Sequence, residues 1–246
     1  MSAVLVIAGT DSSGGAGLAR DVRTLARLGA GALCAVTAVT AQSDGEVSAV
    51  HLIPPELVRA QMAAALATGR IAAIKIGMLG TGATVRAVSA SLPPRAVTPL
   101  VLDPVLAASS GGELLDAAGR AALLEALLPR ATILTPNIPE AAALLGLPAA
   151  RSDAELVQQG QALLALGAEN VLLKGGHGSG GQAIDLLLTH GRAVRSLAAP
   201  RRATTRRGTG CALAAAIAAG LAAGLEVVDA CARAKRHVNE LLEGDD

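Results

Sequence analysis

The sequence contains no Phe, no Tyr and no Trp among its 246 residues. Rings normally supply large contact areas in cores and binding sites. Without them the interior must be filled by aliphatic side chains, and any aromatic ligand must rest on aliphatic and Met contacts rather than stacked rings. Ordinary usage would essentially never give zero. Two readings remain: a natural sequence of extreme Ala and Arg bias, or a variant from which aromatics were removed, and composition favours the second. Cysteine is scarce as well. Cys34, Cys211 and Cys231 are scattered and odd in number, which excludes a disulfide scaffold and a CxxC metal site. A reducing, cytoplasmic setting is the default expectation. Neither sign of charge is in excess: 21 Lys plus Arg stand against 20 Asp plus Glu, a net charge of +1. Such a chain has no field to hold a polyanion, so nucleic acid is not an expected partner. Long apolar runs are missing too. Cys211–Leu225, the longest, has 15 residues and falls short of the roughly 18–20 that a membrane span needs. It reads as a helix buried in a soluble core. Met1–Gly9 is apolar but brief and lacks the basic start of a signal peptide.

What is present is a large apolar content, 52% of residues against 17% charged, enough for a sizeable core. Short β-like runs alternate with helical patterns. Expected strands are Ala3–Ala8, Ala32–Thr40, Ala73–Met78, Pro99–Asp103, Thr132–Thr135 and Asn170–Lys174. Expected helices between them include Gly17–Leu28, Pro55–Thr68, Ala118–Leu128, Glu140–Leu145 and Asp153–Leu166. Strands apolar on both faces and spaced by helices imply a three-layer α/β/α sandwich with a mainly parallel sheet. Gln182–Leu188 and Ala193–Ala199 read as an antiparallel hairpin at one edge, and two helices starting near Gly208 and Val227 close the chain. No repeat, long linker or charge block divides residues 1–246, so a single domain is expected.

In open sheets of this kind, ligands sit beyond the carboxyl ends of the strands. The polar and Gly-rich clusters follow strands in this sequence. Gly9–Gly17 (GTDSSGGAG) would let backbone approach a ligand just before a helix. It lacks the Lys-Ser/Thr of a Walker A loop. Asp11 and Asp21 can accept hydrogen bonds from a polar substrate, or cap and decorate a surface. Gly176–Gly181 matches GxGxxG, but a strand rather than a helix follows, so the dinucleotide context is absent; His177 within it reads as a loop hydrogen-bonder. Lys174, one of three Lys in the chain, ends a buried strand. A lysine there serves either as a phosphate ligand or as an ion-pair partner. Asn137 and Glu140, in Thr135–Glu140 (TPNIPE), can hold a metal-bound nucleotide phosphate or merely cap a helix. Asp103, at a strand end, suits Mg²⁺ or a turn.

The strongest single feature is Arg207-Gly208-Thr209-Gly210-Cys211, small residues leading into the long apolar helix. Their N–H groups would converge at the positive end of the helix dipole as an anion hole. Cys211 would lie in the first turn, where a thiolate is stabilised and its pKa lowered; the alternative is a buried structural cysteine. Cys34, inside an expected strand, and Cys231, inside an expected helix, read as core residues. Arg201, Arg202, Arg206 and Arg207 form a basic cluster just upstream. It is either a solvated face or a device for steering a phosphate substrate.

Taken together, these loops resemble the hydroxymethylpyrimidine/phosphomethylpyrimidine kinases of thiamine biosynthesis, within the ribokinase-like superfamily. The resemblance runs in order over nearly the whole chain: IAGTDSSGGAG at Ile7–Gly17, AVTAQ at Ala38–Gln42, KIGML at Lys75–Leu79, LDPV at Leu102–Val105, TPNIPEA at Thr135–Ala141, LLKGGH at Leu172–His177 and GTGC at Gly208–Cys211. It implies a ribokinase-like fold, a homodimer, ATP with Mg²⁺, and transfer of the γ-phosphoryl group to a pyrimidine hydroxymethyl and then to the resulting monophosphate. It further implies that Gln42 reads the aminopyrimidine edge, that Met78 lines its face, and that Gly9, Asp11 and Asp21 frame that pocket. Asn137, Glu140 and Lys174 would hold the Mg-nucleotide, with Asp103 toward the metal. Gly208, Thr209 and Gly210 would stabilise the transferring phosphoryl group, and Cys211 occupies the place of the superfamily's catalytic Asp. Three departures stand out: Arg207 replaces a common His, Leu106 and Ser109 stand in a loop that often carries Lys, and AQN becomes Ala41-Gln42-Ser43. A pyridoxal or pyridoxine kinase, and a scaffold that binds without turnover, are the competing expectations.

Overall fold

The computed structural model describes residues 2–43, 45–108, 112–175, 180–202 and 206–244. β1 (Ala3–Ala8, AVLVIA) is buried along its whole length, as a central parallel strand covered on both faces must be. Its alternation assigns the layers. Leu5 and Ile7 join one apolar cluster, and Val4, Val6 and Ala8 join the other. β1 pairs in parallel with β2 (Gly31–Val36) and with β5 (Ile71–Ile76). The order continues through β6 (Leu100–Leu102), β7 (Ile133–Leu134) and β8 (Asn170–Leu173), all parallel. β9 (Gln182–Thr189) and β10 (Arg195–Pro200) add the antiparallel edge, completing an eight-stranded sheet of order β10-β9-β8-β7-β6-β5-β1-β2 among the described residues.

The first cluster lies under α2 (Pro55–Leu66), α3 (Gly82–Ser91), α4 (Ala117–Ala122), α5 (Ile138–Leu145) and α6 (Asp153–Ala165), which contribute Val58, Met62, Val85, Leu144 and Leu163. On the opposite face sit α1 (Gly17–Arg27), α7 (Thr209–Ala222) and α8 (Val227–Glu243), which contribute Leu18, Leu25, Ile217 and Ala230. Helices on both faces give the three layers. The missing rings are met by close approach: a Cβ on Gly220 of α7 would lie 2.9 Å from the Ala230 Cβ of α8. Small residues let these helices meet almost backbone to backbone, and dispersion rises with such density. No described helix is long and apolar enough to cross a membrane.

Three expectations need correction. The run Ala32–Thr40 is two strands, not one. Buried Thr37 donates its hydroxyl to the Met78 carbonyl at 2.6 Å, and its amide donates to Ala8 O at 3.1 Å. These bonds carry the chain off the sheet, so β3 (Ala38–Gln42) pairs instead with β4 (Val47–Leu52) in a two-stranded flap. The expected helix Ala118–Leu128 is α-helical only to Ala122, followed by a π turn over Leu123–Leu127 and a 3₁₀ turn over Leu128–Arg130. Cys34 is exposed, because β2 is the edge strand and its outer positions are only partly covered. Cys231 is buried. β4 and α3 carry no strong sequence signal: VSAVHL is mostly exposed and α3 is a ten-residue run of mostly small side chains.

Candidate active site

The strand ends and the start of α7 open into one cleft of about 600 Å³. One end lies beneath the flap and is lined by Gly9, Asp11, Thr40, Gln42 and Met78. The other runs along Asp185, Pro200, Lys235, Val238, Asn239 and Leu242. Asp103, Asn137, Glu140, Lys174 and Gly208–Cys211 lie between them.

The flap end is tied together by short polar links. The Asp11 carboxylate organises the first loop: Oδ1 accepts from the Ser13 amide at 2.9 Å and the Ser13 hydroxyl at 2.8 Å, and Oδ2 accepts from the Ala16 amide at 2.8 Å. Ser12 Oγ donates to the Gln42 backbone carbonyl at 2.8 Å and accepts from the Gln42 backbone N–H at 2.7 Å. Thr40 Oγ1 donates to Thr10 O at 2.8 Å. The first loop and flap are therefore one hydrogen-bonded unit, and Gln42 stands at its inner corner. Gly9 leaves room for Met78, whose sulfur would sit 2.9 Å from a Cβ there. Arg207 closes this end, with Nη2 3.2 Å from Asp11 Oδ2, and Nη1 donating to Ser13 Oγ at 3.2 Å and Ser43 O at 2.5 Å.

In the middle, Asn137 and Glu140 form a reciprocal capping box at the start of α5, each backbone amide donating to the other side chain at 2.8 Å. That box fixes the Glu140 carboxylate toward Lys174, whose Nζ lies 3.0 Å from Asp103 Oδ1 and 3.7 Å from Glu140 Oε2. Asp103 Oδ1 also accepts from Thr135 Oγ1 at 3.2 Å. Burial pushes the Glu140 carboxyl up, and the Lys174 charge counters it. Burial would pull Lys174 down, but Asp103 and Glu140 more than reverse this and hold it above the ordinary lysine range. Lys174 is an ion-pair partner here. It also faces the start of α7, since a Cβ on Gly210 would lie 3.2 Å from its Nζ.

Gly208 caps α7 with φ +74°, in the left-handed region that favours glycine. A Cβ there would meet Gly15 O at 2.2 Å, so the first loop and the helix start touch backbone to backbone. Thr209, Gly210 and Cys211 follow as the first helical residues and line the cleft. The expectation of a lowered Cys211 pKa is corrected. Burial pushes the thiol up to about 11, with Asp21 and Asp103 adding to the rise and Lys75 and a hydrogen bond from the Gly17 backbone only partly opposing it. Desolvation of the thiolate outweighs the helix end.

Asp21 is the second correction. It does not border the cleft but is wholly buried behind it, its Oδ2 accepting from Lys75 Nζ at 2.7 Å. Lys75 is the cleft residue. Burial pushes the Asp21 carboxyl up to about 6 against the pull of Lys75. Burial likewise opposes the Lys75 charge, but Asp21, Cys211 and Asp103 raise its pKa overall. Sequence reasoning gave Lys75 no role, although a lysine inside the apolar run IAAIKI is a usable signal, because unpaired lysines are almost never fully buried. Asp185 and Lys235, paired at 2.7 Å, were missed too; each sits singly in an ordinary strand or helix pattern. Arg201, Arg202, Arg206 and Arg207 all border the cleft. Gly176 to Ser179, which hold most of the GxGxxG match and His177, and Ser109 lie outside the described residues.

The model of the family described as phosphomethylpyrimidine kinase matches residues 11–245. The chain belongs to that family. It is 42% identical over 239 residues to the hydroxymethylpyrimidine/phosphomethylpyrimidine kinase of Escherichia coli, covering 97% of this chain and 90% of the relative. The crystal structure of phosphomethylpyrimidine kinase from Clostridium difficile superposes with a TM-score of 0.85 at 32% identity, covering 98% of this chain and all of that one. The pyridoxal kinase of Staphylococcus aureus in complex with AMP-PCP and pyridoxal superposes with a TM-score of 0.87 at 30% identity, covering 99% and 88%. These neighbours bear out the ribokinase-like α/β expectation, and the family bears out the kinase.

Proposed function

We propose that this kinase transfers the γ-phosphoryl group of ATP to 4-amino-5-hydroxymethyl-2-methylpyrimidine and then to its monophosphate, the two activities named together in its E. coli relative. The observation that carries this reading is the continuity of the cleft, about 600 Å³ in all: the Gly208–Gly210 turn opens between a flap end holding Gln42 and Met78 and an α8 end lined by Lys235, Val238 and Asn239. The Gln42 amide can both donate to and accept from an aminopyrimidine edge, while Met78 and Gly9 offer the apolar surface under the ring. Lys174 and the amides of Thr209, Gly210 and Cys211 face charge developing on the phosphoryl oxygens, where positioning and electrostatics dominate phosphoryl transfer.

Mg²⁺ fits the donor set. No cluster of three acidic, His or Cys ligands occurs among the described residues, and an ion of this kind is commonly held by one or two carboxylates together with substrate phosphates. Asp103 and Glu140, brought together on Lys174, would hold it. Bound there, it would neutralise phosphate charge. Cys211 is the proposed base for the hydroxymethyl proton. It rests as a thiol, so only its deprotonated minority accepts that proton. Exposed Val39, Val50 and Leu52 on the flap support a homodimer. We place the single 1–246 domain in the cytoplasm, where ATP and reduced thiols occur together.

The S. aureus neighbour, whose complex holds pyridoxal, keeps a pyridoxal kinase as second reading. A coupled ADP-release assay with the pyrimidine alcohol, its monophosphate and pyridoxal decides. Turnover of the first two above pyridoxal is expected. A preference for pyridoxal, or no ADP release with any of them, would contradict the proposal.

A further inference from the structure

All three lysines of the chain line the cleft, and each is held by a buried aspartate: Lys75 by Asp21 at 2.7 Å, Lys174 by Asp103 at 3.0 Å and Lys235 by Asp185 at 2.7 Å. Arg207 also lies on a buried aspartate, Asp11. Its guanidinium lies at the flap end, bridging Asp11 to Ser13 and the Ser43 carbonyl. Asp11 does not depend on it, because the Ser13 and Ala16 amides and the Ser13 hydroxyl already donate to that carboxylate. The Asp11 carboxylate therefore keeps three donors when the guanidinium leaves it. The Ser13 hydroxyl and Ser43 carbonyl are neutral acceptors in exposed surroundings, where water replaces the lost bonds. Its backbone also runs directly into Gly208, the cap of α7, so the guanidinium pivots beside the anion hole.

The two transfers need different things at this end. In the first, a neutral hydroxyl attacks the γ-phosphorus and must lose a proton. In the second, an oxygen of the monophosphate forms the new P–O bond while the bond from the γ-phosphorus to the ADP oxygen breaks. The attacking oxygen is already anionic, so no proton has to move. The monophosphate instead brings about 1.5–2 negative charges at pH 7 toward a triphosphate. A cation at the flap end is the missing requirement, and a planar guanidinium fork suits a phosphate.

We propose that Arg207 is the residue that admits the phosphorylated acceptor: it leaves Asp11 for the substrate phosphate and sets the preference between the monophosphate and the alcohol. This rests on the kinase reading above. The test is kcat/KM for both acceptors at saturating ATP in wild type, Arg207→Gln and Arg207→Lys. Arg207→Gln should lower kcat/KM for the monophosphate about 10- to 100-fold, the loss of a hydrogen bond to a charged group, and lower it for the alcohol at most about threefold. Arg207→Lys should recover part of the monophosphate rate. Equal losses on both acceptors would overturn the proposal and leave Arg207 as a brace between loops. Undiminished monophosphate turnover would also overturn it. A wild-type enzyme that stops at the monophosphate would refute the role of Arg207 alone, whereas one that phosphorylates neither acceptor would refute the kinase reading as well.

Discussion

At the middle and α8 end of the cleft, charge is fixed by ion pairs: Lys174 between Asp103 and Glu140, and Lys235 on Asp185. At the flap end, the polar groups are mostly hydroxyls, backbone and the Gln42 amide, with Asp11 and Arg207 as the charged pair. One end is preset for a ligand whose charge does not change between the two reactions. The other must accept a neutral alcohol and then a phosphate on the same ring. Fixed pairs suit constant charge, since preorganised dipoles cost no reorganisation during the reaction, and an arginine on a self-sufficient carboxylate suits variable charge.

The largest expected effect that would sharpen this contrast comes from Cys211→Ala. It should lower kcat for the alcohol by about 10²–10⁴-fold, the usual span for a general base, with little change in KM for ATP. The monophosphate should be much less affected, because its attacking oxygen has no proton to lose. Steady-state kinetics on both acceptors check this; near-wild-type kcat for the alcohol would demote Cys211 to packing at the start of α7.

Lys75 lines the cleft and Asp21 lies behind it, with both side chains fully buried. Lys75→Met should destabilise the fold by about 3–5 kcal/mol, the cost of leaving one buried charge uncompensated. Asp21 Oδ1 already lacks a hydrogen-bond partner, so nothing nearby softens the loss. Denaturant melts measure it. The double replacement Lys75→Met with Asp21→Leu should recover most of the loss, and a single-variant cost under about 1 kcal/mol would show that solvent reaches the pair.

A smaller effect probes the flap end alone. Gln42→Ala should weaken pyrimidine binding by about 1–3 kcal/mol and leave ATP binding nearly unchanged. Calorimetry with each ligand separates the two, and equal losses would mean that the two ends are not independent.

The parts legible in the sequence are those where local pattern and burial agree. β1, apolar on both faces, the β9–β10 hairpin and the long alanine-rich helix α7 follow from residue type and spacing. The turn at Thr37 was not legible, because it depends on a hydroxyl reaching Met78, 41 residues away. Asp21 was misplaced for a similar reason: its partner Lys75 lies 54 residues on in β5, and only the folding of α1 back over the sheet brings them together. Cys211 shows a different limit. A helix start argues for a thiolate, but the degree of burial, which decides the sign, is a property of the packed site. Arg207 was legible as part of a basic cluster, a solvated face or a steering device, and its contacts to Asp11, Ser13 and Ser43 became visible only with the loops in place.

The central claim is that the first transfer must move a proton to Cys211 while the second must not. The pH dependence of wild-type kcat for the two acceptors tests it most directly. Burial raises the thiol, the nearby Asp21 and Asp103 carboxylates raise it further, and Lys75 opposes them, leaving it at about 11. The base form is the deprotonated one, so kcat for the alcohol should climb about tenfold per pH unit between roughly pH 7 and 9.5. Over the same range kcat for the monophosphate should stay flat, since its second ionisation, near pH 6, is already complete. Parallel profiles, both flat or both rising, would contradict the account.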